Sequence, residues 1–476
     1  MFLDILQSVI ALIVTLAVLI AVHEYGHFQV ARWCGVHVER FSIGFGKALV
    51  RFEGAPPEIE PVPSGSEPRV RTRANEPLMG TEYCVAMIPL GGYVKFLDER
   101  DGFVPEDQRS FAFNTKPLWQ RALIAFAGPL ANFLLAVVVY WMVFVMGVRD
   151  FSPVIEVAPG SPASLAGLQS GDEVLRLDQV PIADWTTFNL QLLDRLGESG
   201  SLIFDVARAG DADEAAVGAQ IPIDRWLSEL ADPNPASELG LSLHVPIVPA
   251  VLGDVSPSSP AEQGGLMTGD RVLSVNGASI AGWIEFVDRV RANPDQTLAL
   301  RLERGNELID RWVTPEAVDD DGAEIGRIGA ALGDYEFPSD RVRVREYSML
   351  GAWVPAVQKT WAMTRFTVES LVKMVQGLLS PRNLSGPITI AKIAGQTAER
   401  GLDTYLGFIA LISVSLAVLN LLPVPMLDGG HLLYYAVEAL AGRPIPERLQ
   451  YLGLQVGLVL LVGIMLLAFY NDLLRL

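Results

Sequence analysis

The chain has 476 residues, half of them hydrophobic, and a formal net charge of −19; the length suits about three domains, and the apolar content exceeds that of an ordinary soluble protein. The acidity is local: residues 151–340 hold 32 acids against 11 bases, or −21, which leaves +2 for everything else. That distribution argues against nucleic-acid binding, and with only Cys34 and Cys84 present no structural disulfide is implied.

The first apolar run, Ile5–Val22, carries no charge and is long enough to cross a hydrocarbon core of ~30 Å as a helix. Asp4 stands where a signal peptide would carry basic residues, and no small-residue cleavage site follows, so the run is expected to be retained. At its far end lies His23-Glu24-Tyr25-Gly26-His27. Residues four apart share a helix face, so both histidines can direct a ring nitrogen at one ion, with Glu24 free to take a proton from a polarised water. The pattern also occurs by chance in soluble core helices. Membrane depth shifts the balance, because ionisable groups there are expensive and mark function. The other histidines are His37, His244 and His431, which leaves room for a carboxylate as third ligand.

Next, Phe41–Lys47 reads as a strand running into a turn, and residues 54–81 turn to Pro, Glu, Ser and Arg, the composition of a disordered insert. Tyr83–Leu90 is β-prone, Gly91-Gly92 signals a turn, and Tyr93-Val94-Lys95-Phe96 is expected to return as a strand. This is either an ordinary small cytoplasmic sheet or a sheet beside the active site. A second charge-free run, Ala122–Val148, contains Ala127-Gly128-Pro129-Leu130-Ala131-Asn132. Its small residues suit close helix approach, and Asn132 is a candidate partner for the carbonyl that Pro129 frees.

The acidic region holds a duplication. Val157–Trp185 and Val255–Trp283 align at a constant offset of 98 residues, matching Ser161-Pro162-Ala163 to Ser259-Pro260-Ala261 and Gly171-Asp172 to Gly269-Asp270. Each copy reads strand, short helix, Gly-Asp turn, strand, helix, so two domains of about 90 residues are expected, and the pattern resembles PDZ domains of the bacterial type. Between Glu346 and Leu379 an amphipathic helix is expected, with Trp353, Val357, Trp361, Phe366, Val372 and Val375 apolar and Lys359, Arg365, Glu369 and Lys373 wet. It either lies on the outer membrane face or packs on the repeats.

The third apolar run, Thr404–Leu427, ends in two prolines, Pro423 and Pro425, that cannot continue a regular helix. Unwound backbone at membrane depth lines cavities or is buried in protein. Asp428, just beyond, is either the third metal ligand or the cap of a new helix. Leu449–Asn471 is the fourth run. Basic residues in the first and third connections place both in the cytoplasm and the acidic region outside.

These motifs resemble the site-2 protease family of intramembrane zinc metalloproteases, peptidase family M50, in its bacterial regulator-of-sigma-E form. His23–His27 is similar to the family H-E-x-x-H, and Asn420–Gly429 to its N-x-x-P-x-P-x-L-D-G stretch. Gly91–Lys95, the Ala-Gly-Pro-Leu-Ala-Asn run and the Asn-Leu-Ser-Gly-Pro run from Asn383 also match. The resemblance implies that Glu24 is the general base and that His23, His27 and Asp428 bind Zn2+. It further implies that Asn420, Pro423 and Pro425 hold an unwound substrate. Substrates would be transmembrane proteins such as an anti-sigma factor already trimmed by a first protease, or remnant signal peptides, cut at the bacterial inner membrane with the PDZ domains in the periplasm. The stretch Gly54–Met79 departs from the family pattern.

The expected fold is a multi-pass α-helical membrane protein with four transmembrane helices, two α+β PDZ-like domains and a small cytoplasmic β-sheet. The boundaries are 1–31 (first span), 32–117 (cytoplasmic loop and sheet), 118–148 (second span), 151–245 and 246–335 (PDZ copies), 341–402 (amphipathic helix and linker), 403–428 (third span) and 449–471 (fourth span). Gly91, Gly92, Tyr93, Val94 and Lys95 are expected to pair with substrate as a sheet edge. The rival reading is a non-catalytic PDZ scaffold or membrane chaperone that binds exposed C-termini.

Overall fold

The structure is a computed structural model describing residues 2–55, 80–208, 217–230, 233–244, 247–320, 323–333 and 342–475. Most of the insert expected at 54–81 therefore lies outside the described residues; its ends meet, with the Gly54 N–H donating to the Thr81 carbonyl at 2.9 Å. The long helices outside the repeats are α1 (Phe2–Trp33), α2 (Leu118–Met146), α3 (Trp353–Val375), α4 (Pro387–Arg400), α5 (Leu402–Asn420), α6 (Asp428–Ala441) and α7 (Glu447–Leu474). Among the described residues, α1, α2, α5 and α7 are long and apolar enough to cross a membrane. Apolar side chains such as Val9, Ile10 and Val14 on α1 and Leu452, Val456 and Val459 on α7 are exposed, as lipid-facing positions would be.

Small residues let the helices close on one another. A Cβ on Gly26 would lie 2.4 Å from the Ala127 carbonyl oxygen of α2, and one on Gly395 of α4 would lie 2.1 Å from the Ser8 hydroxyl of α1. Ala136, Tyr140, Ala410, Val414 and Val418 bury the contact between α2 and α5, with Ala356 and Met363 of α3 packed on them. Asp472 near the end of α7 accepts from the Gly386 and Ile388 N–H groups at 2.9 and 2.7 Å, capping α4.

Two long strands, β1 (Val38–Glu53) and β2 (Glu82–Phe96), form the small sheet. The register makes it wider than a hairpin: Phe41, Ser42 and Ile43 are partnered both by Val94, Tyr93 and Gly92 and by Tyr83, Cys84 and Val85, while Val50–Glu53 fold back onto Glu82–Val85. Residues 92–96 therefore form one edge and residues 48–53 the other. Gly44 and Gly46, at φ +92° and +91°, supply the left-handed backbone needed where β1 reverses.

The repeat region leaves and rejoins the helical core at one place, where Val148–Phe151 pairs antiparallel with Val342–Arg345. Each copy has a four-stranded sheet, of 173–177, 180–181, 200–207 and 217–223 in the first and 271–275, 278–279, 298–304 and 307–313 in the second. The offset of 98 extends to the register irregularities, between Val174 and Arg176 and between Val272 and Ser274. The Gly-Asp turn has a structural cause: Asp172 accepts from the Gln169 N–H and pairs with Arg208 at 2.8 Å, and Asp270 accepts from the Met267 N–H and pairs with Arg304 at 2.6 Å. Ser161 and Ser259 cap the short helices that open with proline.

Helix α3 packs on the first repeat, one of the two readings of the amphipathic stretch, and leaves an apolar side exposed; it also corrects one detail. Trp353, Val357, Trp361, Val372 and Val375 are exposed, whereas its charged side docks on the first repeat, through Arg365 to Asp194 at 3.2 Å and Lys373 to Glu198 at 2.7 Å. The lysines expected to be wet are not. Lys373 is 14% exposed, and burial between helix and repeat pushes the Lys359 ammonium down from its usual pKa, opposed by Asp184 and Asp150.

Candidate metal centre

Helix α1 continues without a break through the motif to Trp33, and that continuity places His23 and His27 one turn apart. Their Nε2 atoms are 3.2 Å apart. The third run of apolar residues ends as helix at Asn420 rather than Leu427, because neither Pro423 nor Pro425 has an N–H to donate. The unwound Leu421–Leu427 carries Met426 at φ +100° and delivers Asp428 as the first residue of α6. Asp428 Oδ2 lies 3.1 Å from His23 Nε2 and Oδ1 lies 3.5 Å from His27 Nε2.

The residues fit a metal ion on several independent counts. All three donors lie within 4.8 Å of one another, and their separations match the edge of about 3.3 Å expected for ligands at 2.0–2.1 Å around tetrahedral zinc. His27 Nδ1 faces the Ile124 carbonyl at 2.7 Å, which places the proton on Nδ1 and leaves the Nε2 lone pair for the ion. His23 Nδ1 faces the Asn132 side-chain amide at 3.3 Å, and Asn132 Oδ1 is buried without a partner. Turning that amide so its oxygen accepts the Nδ1–H gives His23 the same tautomer and satisfies the orphaned oxygen. A Cβ on Gly128 would fall 2.2 Å from His27 Nε2 and 2.7 Å from His23 Nε2, so only glycine lets α2 approach the donors this closely.

Asn132 is therefore placed differently from its sequence-based expectation: its side chain reaches His23, not the carbonyl freed by Pro129. Gly128 and the Ile124 carbonyl were not anticipated as part of the site. The available signal was the spacing of Ile124, Gly128 and Asn132, four apart on one helix face.

A cavity of about 1050 Å³ opens onto this centre, and Glu24, Gly91–Phe96, Asn420 and Asp428 line it. Glu24 is half-buried beside the edge strand, where the Val94 N–H donates to its carboxylate. A side chain at Gly92 would press to 3.0 Å from Glu24 Cγ. Gly91 turns the strand at φ +144°. Pro423 and Pro425 do not line the cavity; Pro425 instead packs against Gly457 of α7, where a Cβ would meet its carbonyl at 1.9 Å. Helix α6 is tied to α2 along the cavity wall by Arg121, which pairs with Glu438 at 2.6 Å and lies over the Tyr435 ring at 5.2 Å. Gly429 and Gly430 let the unwound segment fold onto the first turn of α6, since a Cβ at either would clash with the Leu421, Leu422 or Val424 carbonyls.

Replacing Gly128 with Ala is expected to weaken zinc binding roughly 10- to 100-fold, as loss of supporting contacts around a metal does. Competition with a chelator checks this; unaltered affinity would mean that α2 can retreat from the histidines.

Comparison with known proteins agrees with the geometry. The family model described as Peptidase family M50 matches residues 11–61 and 72–464. The regulator of sigma-E protease RseP of Escherichia coli K12 is 42% identical over 475 residues, covering all of both chains. Protease RseP of Yersinia pestis is 42% identical over 476 residues, 99% of this chain and 100% of that one. A Vibrio cholerae protein that carries a zinc metalloprotease name is 38% identical over 475 residues, again 99% and 100%. The chain belongs to peptidase family M50 and is a zinc metalloprotease of that family.

Proposed function

We propose that the chain cleaves single-pass membrane proteins inside the bilayer, as the second cut on an anti-sigma factor, with remnant signal peptides as a further substrate class. The observation that carries this reading is a metal-donor trio and a carboxylate facing one cavity at the junction of membrane-length helices. In this reading His23, His27 and Asp428 hold the ion. Zinc supplies a Lewis acid that activates water and polarises a carbonyl. Glu24 accepts the proton of the attacking water and is kept in place by the Val94 N–H. Asn420 lines the cavity and contacts substrate. Pro423 and Pro425 act indirectly, by unwinding the segment that delivers Asp428.

An intact substrate helix shields its carbonyls, and an unwound one exposes polar groups that are costly to leave unpaired in a water-poor site. Residues 91–96 offer a pairing edge beside Glu24. The basic first and third connections favour an inner-membrane orientation with the sheet in the cytoplasm and the acidic repeats outside. Both repeats are assigned the PDZ fold on their shared register and turn chemistry, and they select substrates by size or contact without contributing catalytic groups.

Glu24→Gln is expected to retain zinc and lose at least roughly 10²-fold in hydrolysis, since an amide accepts no proton; purified variant that cleaves a model transmembrane substrate at the wild-type rate would overturn the assignment. A photo-crosslinker at Tyr93 or Lys95 in that variant is expected to capture substrate. Its failure to do so at any position from 91 to 96 would make the edge an ordinary sheet. Deleting residues 151–335 behind a suitable linker is expected to preserve cleavage of short-tailed substrates and to admit long-tailed ones, whereas an inactive, zinc-loaded deletion would contradict a selecting role.

A further inference from the structure

We propose that His431 donates a hydrogen bond to the oxygen of the scissile carbonyl as negative charge develops there, making it a further catalytic residue. The inference rests on the protease reading above. His431 stands three residues after Asp428 on α6, so helix geometry turns both toward the same side. It lines the cavity that Glu24 and Asp428 line. The ring is exposed to that cavity, and its orientation is set by an edge-on contact with Tyr434, with centroids 6.4 Å apart and planes at 86°.

Several other donors around the cavity are already engaged, while the side chains of Asn420, Tyr434 and Tyr435 line it as well. Arg100 is bound to Asp98, Arg121 to Glu438 and Lys95 to Glu39. The side-chain amides of Asn114 and Gln450 donate to Glu99 and to the Ile445 carbonyl. The Val94 N–H is engaged by Glu24. Neither ring nitrogen of His431 has a hydrogen-bond partner among the described residues, and a neutral imidazole has one N–H to offer. In the addition step a bond forms between water oxygen and carbonyl carbon, the carbonyl π pair moves onto its oxygen, and the water proton passes to Glu24. His431 transfers no proton; it stabilises the oxygen as it becomes negative. A donor aimed at that atom acts on the transition state more than on the ground state.

The test compares full-length wild type, His431→Ala and His431→Gln on a transmembrane peptide substrate. For His431→Ala, kcat is expected to fall roughly 100-fold, the scale of one lost oxyanion donor, with KM and zinc stoichiometry unchanged; His431→Gln, which keeps an N–H, recovers part of the loss. Affinity for a phosphonamidate peptide, which mimics the tetrahedral anion, falls in step with kcat/KM, while binding of intact substrate in a Glu24→Gln background is unaffected by adding His431→Ala. A kcat within about threefold of wild type, a loss confined to KM, or a fall in bound zinc matching the fall in activity would each overturn the role. Failure of the protease reading itself would show separately, as wild type that does not cleave or Glu24→Gln that does.

Discussion

Everything in the membrane-embedded half answers to one constraint: three polar donors must meet in an environment that penalises each of them. The His23 and His27 Nε2 atoms stand 3.2 Å apart with a carboxylate beside them, an arrangement that a bilayer-spanning helix tolerates only when a cation completes it and every remaining polar atom is occupied. Nδ1 of His27 uses a backbone carbonyl of α2, and Nδ1 of His23 uses the Asn132 amide. Gly128 lets that helix come close enough to serve both. Proline unwinding and two consecutive glycines then bring Asp428 in from a different helix.

Much of this is legible in the sequence because its signals are local. Charge-free runs mark the spans, the H-E-x-x-H spacing is fixed by helix pitch, and Pro423 with Pro425 forces a break before Asp428. The duplicated region is legible for another reason: the Gly-Asp turn recurs with a buried aspartate, and each aspartate finds its arginine at the end of the third strand of its sheet, Arg208 just past it and Arg304 as its last residue. What escapes is whatever depends on a partner far away in sequence. Asn132 looked like a helix-internal cap for a proline defect, and its true neighbour is 109 positions distant. The lysines of α3 looked solvated because composition does not reveal that a repeat covers them. The reversal of β1 onto a third and fourth sheet segment is signalled only by Gly44 and Gly46.

The two faces of α3 join regions with different solvent requirements. One side presents tryptophan and valine outward, and the other carries the ionic contacts that hold the first repeat, so the repeat is attached to an element that also packs on α2 and α5. Burial of Lys359 at that junction gives the attachment an interior character rather than that of a surface ion pair, which would contribute little. The antiparallel pairing of 148–151 with 342–345 closes the base of the repeat region beside it.

The hydrogen bond between Gly54 and Thr81 means that the chain departs from the sheet and rejoins it through a closed neck. Once such a neck exists, lengthening what hangs from it adds only a slowly growing closure entropy, about 0.6 kcal/mol per doubling. The sheet can therefore accept insertions of different length at this place while the strand that faces Glu24 keeps its register.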